Sequence, residues 1–491
     1  MQQQQQQQQR EEQRMAANAA YIRAICRETR MSSWFASPVP PPDFLRMQFG
    51  EKEDLEAIHH CLTYSLSIIV VQEKDNPWLW LAPLFLIPCD EAPLATLALR
   101  SACLALGATH LASLRRRTPD QASLAAETTA SAARYQFASL NALRQARGNG
   151  REVMNDRFLV ASAILLCDAV LGAKRNWIEI HRLAMVALRS RGGCAKILSE
   201  PRSMNPQPIA AAQGIIEPEL PFVTLSTVIG QIATTDILVA MCTGGKTILL
   251  GHEEDQWWED LDSKSSSETS SSREWESVES NIGVHRGLVS LQARIFNLVS
   301  DKLQLDRRYG KGIIRRPSNS ATATSSTPLQ LPVLPELDQL QETASRLQTD
   351  LLEWRFRLPT IQMSPRVQLG SLALWHSLNI SMEEVYEAVK IDPVIQSSVD
   401  CVLELCLEAS NYKIEYLNSS LLIAGINAIS AEQRATVRSL VVTFEAQCGD
   451  ELQVLLEVLE ESWIRADAGA DDESTNWRQI LLDIGKPILI G

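Results

Sequence analysis

With 491 residues, 45% apolar side chains and a net charge of −13, the chain has length for about two to three domains and enough apolar surface for a sizeable core. The acidic balance argues against tight binding to duplex DNA by this chain alone, because that affinity comes from Lys and Arg neutralising phosphates. No stretch approaches the ~20 uninterrupted apolar residues of a membrane span, the N-terminus has no apolar signal core, and ten scattered cysteines without a C-x-x-C pair indicate core residues in a reducing compartment.

Residues Met1–Gln9 are a glutamine tract, and Pro38, Pro40, Pro41 and Pro42 break regular structure after a short candidate helix at Ala16–Cys26. Residues 1–52 therefore read as a disordered arm. From Glu53 a helical body begins: Leu55, Ile58, Leu62, Leu66 and Ile69 recur at three- and four-residue steps. His59, His60 and Cys61 invite a metal reading, but neighbouring side chains on a helix point about 100° apart and do not converge on one ion. One buried and one exposed histidine is the expectation. Prolines 83, 88 and 93 divide the next segment, and Ala92–Leu114 is one long apolar helix in which His110 is assigned a structural, hydrogen-bonded role. Arg115-Arg116-Arg117 is read as solvated loop charge, too short for a firm import signal; the same holds for Arg315-Arg316. Ala122–Arg147 forms another helix.

Residues 155–193 form a hairpin of two helices. The first, about Asp156–Leu171, is apolar around most of its circumference and belongs inside a bundle. Gly172 is expected to end it in the left-handed conformation. The second carries Trp177, Ile180, Ala184, Ala187 and Leu188 on one face and ends at Arg191-Gly192-Gly193. After a proline-rich passage, Phe222–Cys242 is helical. Gly244-Gly245-Lys246-Thr247 imitates the end of a phosphate-binding loop, but the position of that loop's first glycine holds Ala240, and a helix containing Asp236 replaces the required strand. Glu253–Glu279 is acidic and serine-rich with Trp257, Trp258 and Trp275. Such interleaving is the composition of partner-binding activation segments; the alternative is a surface loop whose tryptophans tuck onto the bundle.

Gly287–Leu305 is amphipathic, and 317–335 is a second Ser/Thr/Pro-rich linker. Leu337, Leu340, Ala344, Leu347, Leu351 and Trp354 make a heptad-like seam too short for a dimer coil, so an internal packing face is expected. Helices follow at Leu369–Val389 and Val394–Leu417. Gly425 permits a close helix approach, Ser430 can cap the next helix, and Arg434 can pair across the bundle. No G-x-S-x-G, H-E-x-x-H or glycine-rich dinucleotide loop occurs, so no catalytic, cofactor-binding or metal residue is assigned, and the chain is not read as an enzyme.

Three stretches carry a family resemblance. They are Asn76-Pro77 through His110-Leu111-Ala112; Leu165-Leu166-Cys167-Asp168 with Gly172, Trp177–His181 and Arg191-Gly192-Gly193; and Leu422-Ile423-Ala424-Gly425 with Glu432-Gln433-Arg434, Leu459–Trp463 and Trp477. Together they resemble the fungal-specific transcription factor domain, the helical regulatory half of zinc binuclear-cluster regulators. The resemblance implies an all-α bundle over residues 53–486 with flexible insertions at about 252–280 and 317–335. It also implies a nuclear RNA polymerase II transcription regulator that senses a metabolite or partner and works through the transcription machinery or other regulators, as a homo- or heterodimer. Such regulators carry a six-cysteine zinc cluster; Cys26, Cys61 and Cys89 are too far apart to form one, so zinc is expected only with an upstream cluster, and no membrane role is implied. The alternatives are a helical enzyme or ligand-binding protein reusing the bundle, or a protein–protein scaffold.

Overall fold

The computed structural model describes residues 46–490 apart from 47, 71–75, 79–80, 82–91, 201–219, 221, 253–254, 260, 262–276, 310–334, 359–362, 411–416, 446–447 and 472–473. The glutamine tract, the candidate helix at Ala16–Cys26, the proline cluster, Trp275, Arg315-Arg316 and nearly all of the second linker lie outside the described residues. Among the described residues all regular structure is helical, as the periodicity requires.

Helix α1 (Lys52–His60) runs through a π turn (Cys61–Ser65) into Leu66–Ile68, which interrupts the continuous α-periodicity expected there. The long helices α2 (Leu94–Arg116) and α3 (Ala122–Ala146) pack along each other, and α4 (Asp156–Leu171) lies against α2. Helix α4 starts on the Asn155 side chain, which accepts from Arg157 N at 3.0 Å. It is followed by α5 (Trp177–Ser190) and α6 (Phe222–Thr243). Helix α6 packs on α4 and on α7 (Arg286–Tyr309), joining the N-terminal group to the C-terminal one. That second group comprises α8 (Pro335–Arg357), α9 (Pro365–Val385), α10 (Pro393–Ala409), α11 (Asn418–Ile426), α12 (Ala431–Glu445), α13 (Glu451–Asp467) and α14 (Trp477–Asp483). One buried apolar cluster extends from Phe49 to Ile490.

Two helices, Leu94–Arg116 and Thr224–Thr243, are long and apolar enough by composition to cross a bilayer, which a count of uninterrupted apolar residues did not reveal. Their most apolar windows are 78% and 72% buried within the protein, so the bundle core itself accounts for their composition. The heptad-like seam on α8 is an internal face: Leu340, Ala344, Leu347, Leu351 and Trp354 are buried, with α7 and α9 as the neighbouring helices. The insertion expected at 252–280 is anchored at both ends, by short helices at Gln256–Glu259 and Ser277–Ile282. Buried Glu279 pairs there with Arg286 at 2.9 Å.

Gly172 does not take the left-handed conformation expected of it. Its φ is −90°, and Ala173 holds that conformation at φ 48°. Lys174 N–H reaches the Ala169 carbonyl at 2.8 Å and Ala173 N–H the Val170 carbonyl at 3.0 Å, the paired bonds of a Schellman ending one residue later than expected. Gly172 is there for room: a Cβ would stand 2.5 Å from Lys174 Cε and 3.0 Å from Thr109 Cγ2. The expected roles in the C-terminal group hold. Ser430 Oγ accepts from Gln433 N at 3.0 Å while Gln433 Oε1 accepts from Ser430 N at 3.1 Å, a reciprocal capping box. Arg434 pairs with Asp467 at 2.7 Å. A Cβ on Gly425 would stand 2.8 Å from Leu459, and Trp463 Nε1 donates to the Gly425 carbonyl at 2.9 Å.

Candidate functional site

The hairpin stretch places Asp168 at the meeting point of α2, α3 and α4. Its fully buried carboxylate accepts from Thr109 Oγ1 at 2.6 Å, Gln136 Nε2 at 2.6 Å and Lys174 Nζ at 2.6 and 2.7 Å. A buried charge persists only when paired and hydrogen-bonded, and here both conditions are met. Leu171, one turn on, offers its carbonyl to Asp450 N at 2.7 Å, so the end of α4 is stitched to the start of α13.

Asp236 has an analogous task at the false phosphate loop. Its Oδ2 accepts from the backbone N–H of Ile248 and Leu249 at 2.5 and 2.9 Å, and its Oδ1 lies 3.0 Å from His181 Nε2. The turn after Lys246-Thr247 thus spends these two N–H groups on an internal carboxylate rather than on a phosphate. Thr247 Oγ1 lies 3.0 Å from Asn297 Oδ1, and Lys246 pairs with Asp301 at 2.6 Å. Arg191 of the Arg-Gly-Gly ending is buried and pairs with Asp156 at 2.7 Å and Glu200 at 3.1 Å, while Gly192 and Gly193 adopt φ of 87° and 92°.

The arginine triplet corrects its reading as solvated loop charge. Arg115 and Arg116 form the last turn of α2. Arg115 is buried, donates to Thr128 Oγ1 at 2.5 Å and pairs with Glu56; Arg116 pairs with Asp450. Arg117 donates to the Cys448 and Gly449 carbonyls, each at 3.2 Å. Beneath them His60 Nε2 lies 3.1 Å from His110 Nδ1, which is 3.3 Å from Ser65 Oγ. His59 is half-buried and His60 buried, so the pairing of one buried and one exposed histidine holds only in part. Burial, then the Arg117 charge, holds His110 down to about 3; burial, then His110 and Arg115, holds His60 well below its ordinary range. Histidines with lowered folded pKa values contribute stability that is full above about pH 6.5 and drains as pH falls toward the folded value. Each costs up to about 1.4 kcal/mol per pH unit within that window. Urea unfolding at pH 7.5 and 5.5 is expected to show this loss, with His110→Asn shallower by one proton; equal slopes would refute it.

The candidate partner-binding tryptophans separate. Trp258 is fully buried and donates Nε1–H to the Arg286 carbonyl at 3.0 Å, so it packs onto the bundle. Trp257 is half-buried and meets Trp258 edge-on at 5.7 Å, and Trp275 lies outside the described residues.

Sequence reasoning missed a cavity of ≈160 Å³ where the two helical groups meet. Ile68, Val170, Leu238, Val289 and Leu374 supply its apolar wall, and Gln231, Thr234, Asn281, Gln292 and Ser419 its side polarity. Glu451, the first residue of α13, is also among the lining residues. Its carboxyl accepts from Gly449 N at 3.2 Å through Oε1, while Oε2 is buried with no hydrogen-bond partner. Burial pushes this carboxyl up to about 8. An apolar pocket with a few convergent polar groups and a perturbed carboxyl is the usual form of a small-molecule site. A second hollow between α7 and α8 is lined by ion pairs, Lys246–Asp301 and Arg308–Glu336, that satisfy one another. No sequence pattern marks Glu451, because an acid at a helix start is ordinary.

Among the described residues no three His, Cys, Asp or Glu side chains are grouped to hold a metal. Burial pushes the thiols of Cys167, Cys194 and Cys406 up to about 12. The described cysteines are not gathered into a group of three or more, so they do not fit a six-cysteine cluster. These residues define an all-α fold built on buried polar junctions, with an apolar pocket between its two helical groups. The model of the fungal specific transcription factor domain matches residues 59–491, and the chain belongs to that family. No curated protein and no solved structure matches it.

Proposed function

We propose that the chain is a nuclear regulator of RNA polymerase II transcription, with residues 53–486 acting as one regulatory unit behind a 1–52 arm. Its membership of the fungal transcription factor family, over nearly the whole helical body, carries this reading. It acts by contact with the transcription machinery or with other regulators, as a homo- or heterodimer, and does not read DNA by itself. The net charge of −13 supports the last point, as does the pairing of its densest basic spot, Arg115–Arg117, with carboxylates and carbonyls of the protein itself. The helical domain senses a small molecule and sets that contact. The apolar pocket at the junction of the two helical groups supports this over a plain scaffold, which needs no such pocket.

Fused to a heterologous DNA-binding module, the chain is expected to change reporter transcription by severalfold, while the purified chain alone gives no sequence-specific shift in an electrophoretic assay. A fusion without effect on the reporter sinks the regulator reading. Tight sequence-specific binding by the chain alone sinks the claim that it needs another DNA reader.

A further inference from the structure

We propose that the outer face made by the α9–α10 and α11–α12 turns, with Val389, Ile391, Val394 and Ile429, docks a basic amphipathic segment of another protein, its aliphatic side chains flanked by Lys or Arg. The surface stands on the structure; that its occupant belongs to the transcription machinery or to another regulator rests on the reading above.

The four side chains are 65%, 71%, 44% and 41% exposed. Single exposed aliphatics are ordinary, but a group of them on two joined turns marks an interaction site. Hydrogen bonds fix the turns to one another. Helix α9 ends with Glu387 at φ 57°, where Ala388 N–H meets the Glu383 carbonyl at 3.0 Å and Glu387 N–H the Glu384 carbonyl at 3.1 Å. Lys390 Nζ then donates to the Ile426 carbonyl at 2.9 Å, and Gln396 Nε2 to the Asn427 carbonyl at 3.0 Å. Gln433 closes the set: its Oε1 accepts from Ile429 N at 3.0 Å, and its Nε2 donates to Gln396 Oε1 at 3.0 Å. Turns held this way, carrying stiff β-branched side chains, lose little conformational entropy when a partner covers them.

Charge selects the occupant. Glu384, Asp392 and Asp400 border the face, and their carboxylates accept from the uncharged groups Asn427 Nδ2 at 3.0 Å, Val394 N at 2.8 Å and Gln433 Nε2 at 2.8 Å. Glu432 is exposed beside them. Two cations nearby are engaged within the fold: Lys390 at the Ile426 carbonyl, and Arg434 with Asp467 through both Nη atoms at 2.7 and 3.0 Å. An aliphatic face with an acidic rim attracts Lys and Arg and repels acids. A second copy would set this rim against its own carboxylates, and an anionic membrane would meet the same repulsion.

The test uses the full chain and a fluorescein-labelled helical peptide of leucine and lysine with its leucines on one face, read by anisotropy at about 0.15 M salt. Saturable binding is expected with a Kd of about 10–100 μM, and a peptide of the same composition in scrambled order should bind about tenfold more weakly. The double variant Val389→Ser/Ile391→Ser is expected to weaken binding by about tenfold, and Ile429→Ser, on the other turn, by about threefold. All three positions are exposed, so melting should match the wild type. Phe137→Ser, at a residue 66% exposed on α3, should leave binding unchanged. Asp392→Asn with Glu432→Gln is expected to cost about threefold and to flatten the salt dependence. Absence of saturable binding, equal binding of the scrambled peptide, tighter binding of a glutamate-for-lysine counterpart, or binding undiminished in the folded serine variants overturns the proposal. So does a dimer in sedimentation that Ile391→Ser dissolves, since the face then belongs to a second copy. Reporter output of the fusion separates the two readings: failed binding with intact output removes the surface alone, and bound peptide with a silent fusion removes the regulator reading alone.

Discussion

Asp168→Ala is expected to cost the domain about 3–5 kcal/mol, the range for removing one partner of a buried ion pair. The carboxylate has no solvent exposure and gathers donors from three helices: Thr109 on α2, Gln136 on α3 and Lys174 just beyond α4. Without it Gln136 loses a buried acceptor, and Lys174, whose side chain is 21% exposed, loses its counter-charge. The loss should also loosen the end of α4, whose Cys167, Val170 and Leu171 wall the cavity. Urea unfolding of Asp168→Ala, Lys174→Met and the double variant measures both the cost and its sharing. The pair should be non-additive by about 1 kcal/mol or more, because one interaction is removed in both single variants. A single-variant loss below about 1 kcal/mol would show that the junction is ornamental.

Gly107→Ala is expected to destabilise at or beyond the upper end of the ~1–3 kcal/mol cost of overpacking. A Cβ at Gly107 would fall inside the Ala57 carbonyl and stand 3.0 Å from Cys61 Cβ, where α1 crosses α2. The obstacle is backbone, which has no rotamer to change, so one whole helix must move. Gly449→Ala meets the same obstacle at the Leu171 carbonyl, the atom that also receives Asp450 N–H. Gly150→Ala serves as the control. Nothing lies within 4 Å of its Cβ position, and its effect should stay within about 0.5 kcal/mol. If Gly107→Ala melts with the wild type, the close crossing of α1 and α2 is wrong.

Helix existence and limits were legible in the chain. The predicted hairpin coincides with Asp156–Leu171 and Trp177–Ser190, and the long apolar run with Leu94–Arg116. Both follow from apolar spacing along neighbouring turns, and Ser430 was legible as the cap of α12 because a capping interaction spans only three residues. The roles of Gly425 and Arg434 were legible for a similar reason, since a glycine within an apolar run admits a close neighbour and an arginine in a bundle seeks a carboxylate. The candidate tryptophans were less so: composition cannot distinguish an indole kept in solvent from Trp258, whose N–H is consumed by a carbonyl on another helix.

The sequence by itself determined a helical, regulator-type bundle, because periodicity, capping and motif order are local properties of neighbouring residues. Only the tertiary structure decided which polar groups face one another. Arg116 meets Asp450, His60 meets His110, and the Gly-Gly-Lys-Thr turn is held by Asp236. It likewise decided that Ala173 rather than Gly172 turns left-handed, and that Glu451 is buried with one carboxyl oxygen unpartnered. The reason is physical. A charge chooses its partner by distance and desolvation in space, and residues hundreds of positions apart leave no mark of that choice in the order of the chain.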